Sequence, residues 1–120
     1  MAETKSIVKI FTDKVSEIVG VPVYHAPAPS AGEKVIFRYT PGSHDGGTDE
    51  VTVSLRFISR RLEDAAVRDR AVADALCRRG ESGIDVGGVR LRIVRKDGGG
   101  SGFIGRTGHF YVMSRFYISA

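Results

Sequence analysis

One ten-residue segment, EVTVSLRFIS at positions 50–59, restricts the possible folds more than any other part of the chain. Its apolar and polar residues alternate, which predicts a β-strand with one buried face. The buried side chains of this strand are predicted to be Val51, Val53, Leu55 and Phe57. The chain then passes directly into a segment with helical spacing of apolar residues, so we expect a helix over 60–79 with Ser59 as its N-cap. A half-buried strand followed at once by an amphipathic helix requires a sheet with a helical layer on it.

The remaining periodic segments complete the same architecture. An apolar stripe predicts a first helix over 4–19, with Gly20 as its stop. The predicted strands are a short extended piece at 22–25 and longer strands at 33–40, 86–96 and 108–120. In the second helix, the predicted inward stripe is Leu62, Ala65, Ala66, Val72, Ala73 and Leu76. We therefore expect an α+β fold, in which a single, mostly antiparallel sheet carries two helices on one face, and we expect residues 1–120 to form one domain.

The glycine-rich segment DGGGSGFIGRTGH raises the question of a nucleotide site. Residues 100–105 fit G-x-G-x-x-G. Residues 100–107 match the P-loop pattern at every position except one, where Arg106 stands in place of the lysine. Such loops bind phosphate because they lead into the N-terminus of a helix, whereas this segment leads into an aromatic, β-rich segment. We therefore predict a long hairpin tip over 97–107, mobile in the free subunit, and no nucleotide binding.

No other pattern in the sequence argues for catalysis. The three histidines, His25, His44 and His109, have no metal-ligand spacing, and the single cysteine, Cys77, is expected to be a small buried side chain. The acidic residues of the second helix lie among Arg60, Arg61, Arg68 and Arg70, and we expect surface ion pairs there. The chain is therefore expected to be no enzyme and to need no metal or cofactor. No apolar segment is long enough to span a bilayer, so no membrane partner is expected.

The positive charge leaves a nucleic-acid partner open. The formal net charge is +4 and the isoelectric point is about 9.5. One hypothesis is a small α+β nucleic-acid-binding module that uses an arginine-bearing sheet face, with Tyr111 and Tyr117 as stacking groups. The observation that would favour it is the convergence of arginines on one open sheet face.

The other hypothesis is assembly. Two glycine-rich loops are predicted at 41–49 and 97–108, and the last strand is aromatic on both faces. One face of that strand would receive the helices, and the other would pack on a neighbouring subunit or lie at the edge of the monomer core. The candidate contact residues are His44, Asp45, Phe103, Ile104, Arg106, Tyr111, Arg115 and Tyr117.

The whole arrangement resembles the tail terminator and minor tail proteins of long-tailed bacteriophages. The resemblance lies in an N-terminal amphipathic helix, the segment VPVYHAPAPS, a strand running directly into a helix (VTVSLRFISRRLEDAAVRDRAVADAL), and the terminal strand FYVMSRFYISA. It implies a homo-oligomeric ring, typically a hexamer, that caps the tail tube, ends its polymerisation and joins it to the neck of the head. The implied partners are other copies of the chain, the tail tube protein and a neck or head-completion protein, with at most transient passage of DNA.

The resemblance also implies a location in the virion tail or neck, and in the host cytoplasm during assembly. Neck and head-completion proteins share the size and fold class, and they remain an alternative. A ring through which DNA passes should not hold it, so we expect the assembled particle to bind duplex DNA weakly. We expect Arg60, Arg61, Arg68 and Arg70 to pair with acids of the second helix, and other arginines to pair with carboxylates across subunit contacts.

Overall fold

The computed structural model describes residues 4–26, 32–41, 50–77, 84–86 and 88–119. Two helices and six strands lie within these residues. Their bounds are α1 Thr4–Val19, β1 Val23–His25, β2 Lys34–Pro41, β3 Glu50–Ser59, α2 Leu62–Leu76, β4 Ile84–Val86, β5 Val89–Ile104 and β6 His109–Ser119.

The strands form one open sheet in the order β1-β2-β3-β6-β5-β4. All neighbouring pairs are antiparallel except β1 and β2, which run parallel. Both helices pack on the same face, where α2 lies against β3 and β6 and also contacts α1. The predicted α+β class, with a mostly antiparallel sheet and two helices on one face, is confirmed. The prediction counted five strands, and the additional one is the three-residue β4, which pairs with the start of β5.

The hydrophobic core lies between the helices and the strand residues that alternation predicts to be buried. Val53 of β3 is paired with Phe116 of β6, and both are fully buried. From the helical side, the ring of Phe11 in α1 meets the ring of Phe116 at a centroid distance of 5.5 Å. Burying each such side chain contributes about 1.5–3 kcal/mol, so this layer provides the principal stabilisation of the sheet–helix contact.

The first helix ends where the sequence predicts. Gly20 has a φ of 69°, a left-handed conformation that glycine adopts without steric cost. Its amide donates a hydrogen bond to the carbonyl of Ser16 at 3.0 Å, which satisfies one of the last carbonyls of α1.

The start of the second helix differs from the prediction. The N-cap is Arg61, and no side chain caps the helix. The Ser59 hydroxyl donates to the carboxylate of Glu33 at 3.1 Å and accepts a long bond from the Arg61 amide at 3.4 Å. Ser59 is the last residue of β3, so the strand holds it too far from the first helical turn to act as a cap. Leu62, predicted to point inward, is 41% exposed.

Two polar residues of α2 also differ from the expected surface ion pairs. Arg61 does pair with Glu63 of the same helix. Arg68 instead pairs with Glu33, which precedes β2, at 2.7 Å. Asp69 is buried and accepts a hydrogen bond from the Ser114 hydroxyl of β6 at 2.7 Å. These polar contacts therefore bind the helix to the sheet.

The glycine-rich segment is strand rather than loop. Strand β5 continues to Ile104, and its glycine-containing part stays paired with β6 through Gly98, Gly100 and Gly102. The register shifts between Arg95 and Gly98 and again between Gly98 and Gly100, as at β-bulges. The prediction of a loop over 97–107 is therefore wrong, because pairing needs only backbone groups and β6 supplies a long partner strand. The turn is confined to residues 105–108.

The carboxylate of Glu33 gives a pH dependence that can be tested. Hydrogen bonds from Arg68 and Ser59 lower its pKa below the ordinary value of 4.5. A lowered folded-state pKa adds stability above the unfolded-state value, and this stability is lost as the pH falls through the folded-state pKa. We expect Glu33→Gln to cost about 0.5 kcal/mol above pH 4.5, and this deficit to shrink as the medium is acidified.

Urea unfolding of the variant and the wild type over that pH range measures the difference. Glu63→Gln is the matched control, because Glu63 forms an ion pair with Arg61 at a more exposed position. A Glu33→Gln deficit that is unchanged in acid would contradict this account of the carboxylate.

Candidate functional site

The face of the sheet turned away from the helices is formed by alternate residues of four adjacent strands. The register sets these residues in rows across the sheet: Arg38 is opposite Ser54, and Ser54 is opposite Arg115. We call this surface the open face. Its members include Ile36, Arg38, Glu50, Thr52, Ser54, Arg56, Arg92, Val94, Tyr111, Met113, Arg115 and Tyr117.

Four arginines converge on the open face. Arg38, Arg56, Arg115 and Arg92 lie on β2, β3, β6 and β5, and all four side chains are exposed. None of the four forms an ion pair within the part of the chain that the structure describes. Of the arginines expected to pair with acids of α2, Arg61 does so, whereas Arg68 pairs with Glu33. That the arginines of the open face pair with carboxylates across subunit contacts stays a prediction. Convergence is the observation that favours an anionic partner.

The two tyrosines of the open face are engaged within the subunit. The guanidinium of Arg56 lies over the Tyr111 ring, 5.0 Å from its centroid. The same ring lies across the backbone of Gly102, where an added Cβ would stand 2.8 Å from a ring carbon. The phenol of Tyr117 is hydrogen-bonded to Glu50, and this bond raises the pKa of the phenol. The structure therefore confirms that both tyrosines lie on the face predicted for them. It does not leave both of their rings free to stack on bases.

A second group of candidate residues lies at the turn end of the β5–β6 hairpin. Phe103 is 58% exposed, and its ring packs on Phe110 in a tilted arrangement with a centroid distance of 4.9 Å. Ile104 is half-buried, and Arg106 is exposed in the turn. This end thus presents an aromatic side chain and a positive charge together.

The eight predicted contact residues therefore fall into three sets. Tyr111, Arg115 and Tyr117 lie on the open face, and Phe103, Ile104 and Arg106 lie at the hairpin end. His44 and Asp45 lie outside the described residues.

The described histidines have unlike environments. His109 is buried, and neither ring nitrogen has a hydrogen-bond partner within the described residues. His25 is exposed and stacks on Phe37 at a centroid distance of 4.9 Å. Within the described ranges, no three residues of the His, Cys, Asp and Glu types come together as metal ligands would. Cys77 is a half-buried thiol at the C-cap of α2.

Sequence reasoning did not identify a cleft between α1 and the β1–β2 edge. The cleft has a volume of about 260 Å³ and is lined in part by Val8, Thr12, His25, Phe37 and Tyr39. Only the parallel pairing of β1 with β2, which sets His25 opposite Phe37, brings these residues together. A short segment such as β1 carries no signal of its partner strand, so the cleft could not be predicted.

The geometry of the glycine-rich segment does not resemble that of a P-loop. Residues 100–104 belong to β5, and the turn after them leads into β6, which is a strand and not a helix. The phosphate-binding helix N-terminus that the motif requires is therefore missing at this position. That the chain binds no ATP or GTP stays a prediction. Among the described helices, none has the length and apolar character to cross a bilayer.

Comparison with known proteins gives a likeness of fold. No protein-family model and no curated protein matches the chain. A chain from the solved virion of a native gene transfer agent particle matches with a TM-score of 0.51 and 22% identity, over 88% of this chain and 82% of that one. A second solved chain matches with a TM-score of 0.49 and 13% identity, over 98% of this chain and 96% of that one. The gene transfer agent chain is therefore similar in fold to nearly the whole of this chain.

Proposed function

We propose that the chain is a virion structural protein, and more specifically the terminator of a phage tail or phage-tail-like particle. The observation that carries the proposal is the similarity of its fold, over most of both chains, to a chain of a gene transfer agent virion. The step from virion to tail rests on the sequence resemblance to tail terminator and minor tail proteins. In this role the chain acts in the tail or neck of the virion, after assembly in the host cytoplasm.

The distribution of surface chemistry supports a ring. A closed ring needs a heterologous interface, in which one patch of a subunit meets a different patch of the next. The subunit is elongated, with extents of 45 × 27 × 23 Å, and its hairpin end carries an exposed aromatic side chain, Phe103, that a different patch of the next subunit can receive. Two open faces placed against each other would oppose arginine with arginine, which disfavours a two-fold dimer through that face.

The mechanism that we propose is geometric rather than catalytic. Ring closure would present a surface that matches the end of the tail tube, so that further tube subunits have no site on which to add. The opposite side of the ring would meet a neck or head-completion protein, and DNA would pass through without being held. No bond is made or broken in this role, and no cofactor or metal takes part.

Native mass spectrometry of the purified chain tests the ring. We expect one dominant closed species, a hexamer, because a heterologous interface that closes has a single preferred copy number. Phe103→Ser should shift the population towards monomers, since exposed aromatic side chains such as this one are typical of protein interfaces.

Val67→Ser is the matched control for this substitution. Val67 is 62% exposed on α2, so the variant measures the effect of losing an exposed apolar side chain elsewhere. A wild-type chain that remains monomeric at every concentration would refute the ring, and an unchanged Phe103→Ser mass would remove the hairpin end from the interface.

A nucleic-acid-binding module is the second candidate function, and the convergence of four arginines favours it. The titration of the chain with single- and double-stranded nucleic acid at two salt concentrations separates the candidates. The terminator proposal predicts duplex binding no stronger than ordinary non-specific affinity, roughly 10⁻⁴ to 10⁻⁶ M at physiological salt. Sub-micromolar affinity with a steep salt dependence would favour the module instead.

A further inference from the structure

The open face combines arginine with apolar side chains. Besides its four exposed arginines, it carries Ile36, Met113 and Val94, of which Val94 is 48% exposed. Among the described residues of this face, the one lysine, Lys34, is buried, and the one carboxylate, Glu50, is hydrogen-bonded to Tyr117. Arginine, tyrosine and methionine are enriched in protein–protein interfaces, whereas lysine and glutamate are depleted. The composition of the open face is therefore that of a protein interface.

The described residues of a second copy would offer this face few carboxylates. Five exposed or partly exposed carboxylates are already paired with cations of the same subunit. They belong to Asp13, Glu17, Glu33, Glu63 and Asp85. Among the acidic residues on the described part of α2, only Asp64 and Asp74 are both accessible to solvent and outside an ion pair. Among the described residues of a neighbouring copy, few carboxylates outside an ion pair therefore remain to meet four arginines that form no ion pair of their own.

A nucleic acid matches this face less well than an acidic protein does. Proteins that hold single strands offer free aromatic rings, whereas the Tyr111 ring is covered by Arg56 and Gly102. Interfaces with DNA are more polar than those between proteins, and here apolar side chains lie between the arginines. Val94 is beside Tyr117 in the register, and Met113 is beside Arg56. These apolar side chains would have to be covered by something other than phosphate.

We propose that the open face docks a different protein, through a surface that carries uncommitted carboxylates among apolar side chains. The arginines bind the carboxylates, in part with two parallel hydrogen bonds each, and the apolar side chains between them are covered. This proposal goes beyond the ring and does not depend on it, because it concerns a surface of the single subunit.

Fluorescence anisotropy with defined probes tests the proposal on the full chain. The first probe is a labelled peptide of glutamate interspersed with leucine, and the second has serine in place of leucine. Labelled duplex and single-stranded DNA are the third and fourth probes. At physiological salt we expect the glutamate–leucine peptide to bind more tightly than the other three.

Matched variants assign the binding to the open face. Arg38→Gln/Arg115→Gln should weaken the glutamate–leucine peptide about fivefold, from two exposed ion pairs. Arg60→Gln/Arg70→Gln removes the same charge from exposed positions outside the open face, and it should weaken binding less than twofold. Arg92→Gln is an independent open-face variant, on a different strand from the first two.

Several results would overturn the proposal. Equal losses in the two double variants would show that net charge, and not the open face, attracts the peptide. Tighter binding of either DNA probe would assign the face to nucleic acid. Equal affinity for the leucine and serine peptides would show that apolar side chains do not contribute to binding. No binding of either peptide would show that the open face does not bind an acidic partner. None of these outcomes bears on the ring, whose test is the native mass.

Discussion

Replacing Phe116 with alanine should lower the free energy of unfolding by about 3–5 kcal/mol. The side chain is fully buried, and its ring meets the ring of Phe11 at a centroid distance of 5.5 Å. Its residue is paired with Val53 of β3, which is also fully buried. Removal of the Phe116 ring leaves a cavity that helices and strands cannot close, because both are fixed by their own hydrogen bonds. Urea unfolding followed by circular dichroism measures the loss.

Phe103→Ala is the matched substitution at the other end of the same hairpin. Phe103 is 58% exposed and packs mainly on Phe110, so its loss should cost less than about 1 kcal/mol. Similar losses at the two positions would contradict the division of these aromatic side chains into core and surface. A Phe116→Ala loss below about 1 kcal/mol would show that the sheet can repack around the missing ring.

The parts of the fold that the sequence predicts are those with a local, repeated pattern. Strand β3 spans Glu50–Ser59, as its alternation predicts, because one buried face imposes a period of two on the sequence. The last strand places Phe116 in the core and Tyr117 on the opposite face for the same reason. Helix α1 follows its apolar stripe and ends at Gly20.

The parts that the sequence does not predict depend on contacts between distant segments. The glycines of β5 have no side chains to show a period, so only the presence of β6 makes that segment a strand. Asp69 looks like any other acid of a charged helix until the fold brings Ser114 to it, 45 positions further along the chain. Both features depend on contacts between distant parts of the chain, which a local sequence pattern does not predict.

The candidate site divides along the same line. Alternation alone places Arg56 on the polar side of its strand and Arg115 on the same side of the last strand as Tyr111 and Tyr117. That they meet as one surface with Arg38 and Arg92 follows from the strand order β2-β3-β6-β5, which the sequence does not specify. Likewise, the sequence predicts that Tyr111 is available to a partner. Its contact with Gly102 depends on the register between β5 and β6, which the sequence does not show.

The buried hydrogen bond between Ser114 and Asp69 should be a major polar connection between α2 and the sheet. Ser114 is fully buried on the core side of β6, and its hydroxyl donates to the Asp69 carboxylate at 2.7 Å. Removing the hydroxyl deprives the Asp69 carboxylate of this hydrogen bond at a buried position, where water does not readily replace it. A serine on the open face can instead exchange its partner for water. The position of the hydroxyl therefore determines its contribution.

We expect Ser114→Ala to lower the free energy of unfolding by about 1.5–3 kcal/mol, the range for a bond to a charged group. Ser54→Ala, on the open face of the neighbouring strand, should change it by less than about 0.5 kcal/mol. Asp69→Ala and the Ser114→Ala/Asp69→Ala double variant complete a thermodynamic cycle in urea. A coupling energy between about 0.5 and 3 kcal/mol would show that the two side chains act together. Additive losses would show that each is stabilised by other contacts, and that the helix is held to the sheet by apolar packing.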